Sequence, residues 1–199
     1  TLTIPAAPLF LRRLLPDWLA RLRERRPDVR VDLREMPVPE LSRLRQGEAD
    51  LVVDHLPEVP DDIATMRVGT LRAFVVLPRA HPLAGRKRLA LDKLGDDTFI
   101  SYSPGTLPHE LQLKVLALHG CSPRHTISAG SADTILGFVE SGLGFSLVPA
   151  LEPEGPSGPN LVALPLSAPK VEFEVVAAWR KDTPENPLLD AALETAPRP

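Results

Sequence analysis

Short apolar runs alternating with helix-length stretches constrain the fold of this chain more than any other feature. Leu2-Thr3-Ile4-Pro5 reads as a first strand. Over residues 8–26, Leu11, Leu15, Trp18, Leu19 and Leu22 recur at three- and four-residue spacing, which predicts one long amphipathic helix. Arg12, Arg13, Arg21, Arg23, Arg25 and Arg26 surround that stripe as a solvated face, and the last of them suit the negative end of the helix dipole. Residues 29–34 alternate apolar and polar side chains, the pattern of a half-buried strand. Residues 39–46 read as a short helix, with Pro39 near its start and Gly47 just past its end. Asp50-Leu51-Val52-Val53-Asp54 is a compact buried strand. This β-α-β-α-β opening implies a parallel sheet with right-handed crossovers.

The alternation returns further along. Residues 63–77 hold two apolar runs around Gly69-Thr70, and residues 92–94 make a helical turn before the strand Thr98-Phe99-Ile100. The loop Ser101-Tyr102-Ser103-Pro104-Gly105 leads into a helix over 107–119. A strand over 124–128, a helix over 132–140 closed by Gly142, and the strand Phe145-Ser146-Leu147-Val148, stopped by Pro149, follow. Residues 149–169 are a proline-rich loop holding one short strand, Leu161-Val162-Ala163-Leu164. A long strand over 171–179 and a helix over 186–193 close the chain, with a frayed tail after Thr195. The expected organisation is two α/β lobes, residues 1–72 with 168–199 and residues 73–167. The joining segments would lie near 72–77 and 167–175. Two crossings make a hinged cleft, and ligands bind where the carboxyl ends of parallel strands face such a crevice.

Composition bounds the function. A net charge of -3 over 199 residues gives this stretch no field for phosphate-driven nucleic-acid binding. No apolar run approaches the roughly 18 residues of a membrane span. The single cysteine, Cys121, excludes an intramolecular disulfide and reads as a buried thiol. The 23 prolines stand singly within periodic sequence, as punctuation. A start at Thr1, without Met or a signal-peptide n-region, reads as an excised or processed chain.

Catalytic and metal chemistry find little support. His55, His81, His109, His119 and His125 show no HxxxH or CxxC relation to another ligand, and His119-Gly120 reads as a helix C-cap. There is no G-x-S-x-G elbow and no P-loop. Gly142-Leu143-Gly144 follows a helix and precedes a strand, the reverse of the dinucleotide-binding order. No metal and no cofactor are expected. Three loops after strands stand out instead: Ala6-Ala7-Pro8, the stretch from Ser101 through Ser103 to Thr106, and Ser128-Ala129-Gly130-Ser131-Ala132-Asp133. Each opens a helix, whose free N–H groups can receive a small anion without Arg or Lys. Either Ser103 or Thr106 could cap one helix, and Ser131 the next.

Several passages, in order, carry a family resemblance. They are Gln46-Gly47-Glu48-Ala49-Asp50-Leu51, then Val76-Leu77-Pro78-Arg79-Ala80-His81-Pro82-Leu83-Ala84, then Asp97-Thr98-Phe99-Ile100. The most specific is Phe138-Val139-Glu140-Ser141-Gly142-Leu143-Gly144-Phe145-Ser146-Leu147-Val148-Pro149. With them the chain resembles, over essentially its whole length, the effector-binding (substrate-binding) domain of LysR-type transcriptional regulators. The resemblance implies an α/β, type 2 periplasmic-binding-protein-like fold of two Rossmann-like lobes joined by two crossover segments. It implies a small-molecule effector in the interlobe cleft, with a carboxylate as a candidate class, and no catalysis. It also implies a cytoplasmic protein whose N-terminal winged helix-turn-helix, absent here, makes the DNA contacts, with no membrane partner. Homodimers would form side by side and antiparallel through residues 9–26 and 107–119, to which Leu111, Val115 and Leu118 could lend an apolar face, and the full-length protein would form tetramers. The hydroxyl that the family often carries at the first helix is replaced here by Ala7-Pro8-Leu9, and residues 151–160 are proline- and glycine-rich where many relatives have a helix.

The expected effector contacts are Pro8, Leu9, Ser101, Tyr102, Ser103, Thr106, Ser131 and Asp133, with Asp54 and His55 either adding polarity near the mouth or solvated in a loop. Two other readings stay open at this point. One is an extracytoplasmic solute-binding protein. The other is a cyclohexadienyl-acid dehydratase on the same fold, for which Asp133, Asp54, His55 and His109 are the available acids and bases.

Overall fold

A computed structural model describes residues 1–166 and 171–199. The chain divides into two compact units, Thr1–Thr70 with Phe173–Pro199, and Leu71–Glu172. The expected boundary between residues 167 and 168 lies outside the described residues.

Unit 1 is built on a mixed sheet. Strand β1 (Leu2–Ala6) pairs in parallel with β2 (Val31–Glu35) and with β3 (Val52–Asp54). Antiparallel to β3 runs β9 (Glu172–Arg180), with Val53 opposite Ala177 and Asp54 opposite Val176. Leu51, Val52 and Val53 are buried, as a strand covered on both faces requires. The long helix expected over residues 8–26 is two helices, α1 (Pro8–Arg13) and α2 (Leu15–Arg25), parted at Leu14. The cause is Pro16, which has no N–H and whose ring collides with the carbonyl four residues back. Leu15, Trp18 and Leu22 form the buried stripe of α2. Trp18 Nε1–H donates to the Ala192 carbonyl oxygen at 2.8 Å, tying α2 to the last helix, α6 (Pro187–Glu194). Asn186 caps α6 by accepting from the N–H groups of Leu188 and Leu189. The short helix expected over 39–46 contracts to α3 (Ser42–Arg45).

Unit 2 holds the second alternation. The two runs expected over 63–77 are one strand, β4 (Ile63–Pro78), which carries the chain from unit 1 into unit 2. Within unit 2, β4 pairs antiparallel with β7 (Ser146–Ala150) and with β8 (Leu161–Pro165). Pro149 does not stop β7: it lies opposite Ala73, and the strand continues to Ala150. A 3-10 turn (Leu91–Leu94) precedes β5 (Thr98–Tyr102), which runs parallel to β6 (His125–Ala129). The chain crosses from β5 to β6 through α4 (Leu107–Leu118) and leaves β6 into α5 (Ala132–Glu140). Phe145 bridges to β5: its N–H donates to the Thr98 carbonyl oxygen and its own carbonyl accepts from Ile100 N–H at 2.8 Å. Gly144 makes this approach possible, since a Cβ there would overlap the Thr98 carbonyl oxygen. Phe99 and Phe145 meet at 5.3 Å between ring centroids in a core with Val75, Leu77, Leu91, Leu94 and Leu147. Val115 belongs to that same core, whereas Leu118, 63% exposed, and Leu113 face outward.

Candidate functional site

The parallel pair β5–β6 ends in unit 2 with Ser101 opposite Ser128 and Tyr102 opposite Ala129. Ser101 and Tyr102 are thus the last strand residues and not loop residues, because pairing with β6 extends the strand past Ile100. Ser103 follows directly, and its hydroxyl reaches the Ala129 carbonyl oxygen at 3.5 Å, linking the two strand ends. Both α4 and α5 start from this edge. Thr106 caps α4: its Oγ1 accepts from His109 N–H at 3.4 Å and donates to the Ser103 carbonyl oxygen at 2.7 Å. Ser103 is therefore no cap. Ser131 caps α5, accepting from Thr134 N–H at 3.3 Å. Asp133 stands exposed in the first turn of α5, where a carboxylate suits the helix dipole.

One atom in this cluster is unaccounted for. Ser101 is 1% exposed, and its Oγ has no hydrogen-bond partner among the described residues. Buried polar atoms are normally paired, and an unpaired one costs about 1–3 kcal/mol. This hydroxyl lies at the carboxyl end of β5, at the edge from which α4 and α5 start.

Below it lies a network that local sequence patterns do not reveal. Gln112, buried in α4, accepts from Tyr102 N–H at 2.9 Å through Oε1. Its Nε2 donates to the Leu147 carbonyl oxygen at 2.9 Å and to Ser146 Oγ at 3.3 Å. Ser146 Oγ in turn donates to the Ile100 carbonyl oxygen. These bonds fix the end of β5 to α4 and β7, and so fix the backbone that carries Ser101 and Ser103. The available signal was spacing: Gln112 stands three and four residues before the buried Val115 and Leu116, on the inward face of α4. Gln112→Leu keeps the volume but strands the Tyr102 N–H. It is expected to cost about 1–3 kcal/mol in a urea denaturation series.

Unit 1 holds the remaining candidates. Pro8 and Leu9 open α1, where no side chain caps the helix, and they offer apolar surface only. Asp54 ends β3 and is 6% exposed, so it is not a solvated loop residue. Its Oδ1 accepts from His55 N–H at 2.7 Å, and its Oδ2 has no partner among the described residues. Burial pushes the Asp54 carboxyl up to about 7, against the smaller opposing effect of the His55 N–H bond. His55 Nδ1 lies 2.9 Å from the Glu174 carbonyl oxygen, and its ring meets Phe173 edge-on. His109 sits in the first turn of α4, bonded through its N–H to the cap. Burial, aided by Asp92, holds the Cys121 thiol above its ordinary value, so it stays in the weakly nucleophilic thiol form.

The family model described as "LysR substrate binding domain" matches residues 1–198. An uncharacterized HTH-type transcriptional regulator of Escherichia coli strain K12, YnfL, is 29% identical over 141 residues, covering 69% of this chain and 48% of that protein. The chain thus corresponds to about half of that regulator's length. Among solved structures, the C-terminal domain of a probable LysR family transcriptional regulator from Rhodococcus sp. RHA1 superposes with a TM-score of 0.84 at 23% identity, covering 97% of this chain and 96% of that one. The effector-binding domain of BenM with its effector benzoate gives a TM-score of 0.81 at 24% identity, covering 98% of this chain and 89% of that one. The fold is that of these domains, α/β and type 2 periplasmic-binding-protein-like. Among the described residues no helix is long and apolar enough to cross a membrane.

Proposed function

Because the chain belongs to the LysR substrate-binding domain family, we propose that it is the part of a transcriptional regulator that senses a small carboxylate effector. Effector occupancy would be passed through homodimer contacts, and tetramer contacts in the full-length protein, to a DNA-binding segment outside this chain, in the cytoplasm. The observation that carries the effector position is the buried, unpaired Ser101 Oγ at the shared edge of β5 and β6. In this reading Ser101 donates to the effector carboxylate, and Ser103 does so by turning its one proton away from the Ala129 carbonyl oxygen. The first N–H groups of α4 and α5, held by the Thr106 and Ser131 caps, supply further donors. Tyr102, 9% exposed and in one buried core cluster with Ile100, Ala129 and Ile135, would back the site with its ring. Asp133, an acceptor only, would take a hydroxyl of the effector. The carboxylate class is supported by benzoate, the effector of BenM, whose domain shares the fold.

The test is a thermal-shift screen of aromatic and aliphatic carboxylates, with mass analysis of each compound afterwards. A true effector at 100 times its dissociation constant is expected to add about 2.7 kcal/mol and to be recovered unchanged. Ser101→Ala is expected to weaken that effector about ten- to a hundred-fold, the worth of a hydrogen bond to a charged group. Consumption of the compound would overturn the sensing role in favour of catalysis.

A further inference from the structure

Unit 1 holds a cavity of about 300 Å3 at the amino end of β3, between the turn that follows α3 and the segment that joins β9 to α6. The carboxyl ends of β1 and β3, at Ala6 and Asp54, lie at the opposite end of these strands. The volume stands at the lower end of the range for small-molecule sites. Buried Leu44 and Ala49, together with Pro184, supply its apolar lining.

The polar lining is one-sided. Arg180, its cation, is engaged: Nε and Nη2 donate to the Asp182 carboxylate at 2.8 and 2.6 Å, and Nη1 reaches the Arg45 carbonyl oxygen at 3.4 Å, which ties the two loops together. Thr183 Oγ1 donates its proton to the Arg180 carbonyl oxygen at 2.9 Å, so toward any other group it can only accept. Asn186 caps α6 through Oδ1, and its Nδ2 donates to Asp50 Oδ1 at 3.4 Å. Asp50 also accepts from Thr3 N–H at 2.7 Å, but no cation pairs with it among the described residues. The Glu185 carboxylate, on an exposed residue, has neither a hydrogen bond nor an ion pair among the described residues. The cavity therefore offers apolar surface and open acceptors, with two carboxylates against one guanidinium that Asp182 already neutralises.

We propose that this cavity binds a small organic amine, its ammonium group against the Glu185 carboxylate and its hydrocarbon body against Leu44, Ala49 and Pro184. An ammonium group has donors only, so it can serve Glu185 and the Thr183 hydroxyl together. A carboxylate, the class proposed for unit 2, would meet like charge here. The site stands apart from the effector position and does not depend on it.

The experiment is amide NMR of the full 199-residue chain at neutral pH, with cyclohexylamine and isoamylamine as probes and cyclohexanol as the neutral control. At least one amine is expected to give saturable shifts on the amides of Ala49, Asp50, Thr183 and Glu185, at concentrations where cyclohexanol leaves them in place. Glu185→Gln keeps the shape and is expected to weaken that amine about two- to five-fold, the worth of an exposed ion pair. Glu185→Lys should weaken it further by placing like charge at the ammonium position. Failure of both amines to give saturable shifts at these amides, an equal response to cyclohexanol, or unchanged affinity in either variant would overturn the proposal. Glu185 is exposed, so neither change disturbs the core, and the titration of the parent chain stands on its own.

Discussion

At pH 8, Asp54→Asn is expected to be about 4 kcal/mol more stable than the parent chain, and less than half of that gain should remain at pH 5. The carboxyl is buried and sits at about 7 in the folded chain, against an ordinary value of 3.8. Between those values the folded state keeps a proton that the unfolded state has released. Stability linked to this group is therefore full below about pH 4 and is lost progressively as pH rises to about 7. Above 7 the folded chain holds a buried charge, one oxygen of which has no partner among the described residues. Asparagine removes the charge and keeps the shape. Urea midpoints for both proteins across this range make the measurement, and the difference between them cancels the other carboxylates and histidines. A gain that does not change with pH would show that burial of the charge is not what sets this carboxyl apart.

Trp18→Ala is expected to cost about 3–5 kcal/mol, a large share of the ordinary stability of a folded domain. Trp18 is fully buried, and its removal leaves a cavity between α2 and α6 as well as breaking the Nε1–H bond to Ala192. Trp18→Phe separates the two losses. It keeps most of the volume, and the Ala192 carbonyl oxygen retains the Thr195 hydroxyl at 3.1 Å. The phenylalanine variant should therefore lose only about 1–2 kcal/mol. The chain has two tryptophans, so in either variant Trp179 of β9 reports the unfolding of unit 1 by fluorescence. Equal losses in the two variants would place the cost in the hydrogen bond and not in packing.

Much of the fold was legible because its signals are local. The limits of α5 follow from Ser131 before it and Gly142 after it, with Ser131 accepting its capping bond and Gly142 at a φ of 80°. The opening alternation announced β1, β2 and β3, and their parallel pairing is what such alternation produces. The break at Leu14 was equally local, since Pro16 marks it, but the strong apolar spacing from Leu11 to Leu22 concealed it. What stayed hidden depends on distant partners. Ser101 and Tyr102 join β5 only because residues 128 and 129 come alongside. Gln112 and Ser146 look like ordinary polar residues until α4, β5 and β7 meet. Asp54 ends an apolar run buried on both faces, and that position alone argued for burial of its carboxyl. The loops proposed to meet the effector stand out in the sequence by their hydroxyls, whereas the burial of the Ser101 hydroxyl without a partner among the described residues is a property of the packed structure.

The central claim, that unit 2 receives a small carboxylate where β5 and β6 end, is tested most directly by backbone amide NMR during titration with the carboxylate selected by the thermal screen. The account predicts that the largest shifts fall on Ser101, Tyr102, Ser103, Thr106, Ser131 and Asp133, and that they shrink in Ser101→Ala. Saturable shifts confined to other parts of the chain, with these amides unmoved, would contradict it.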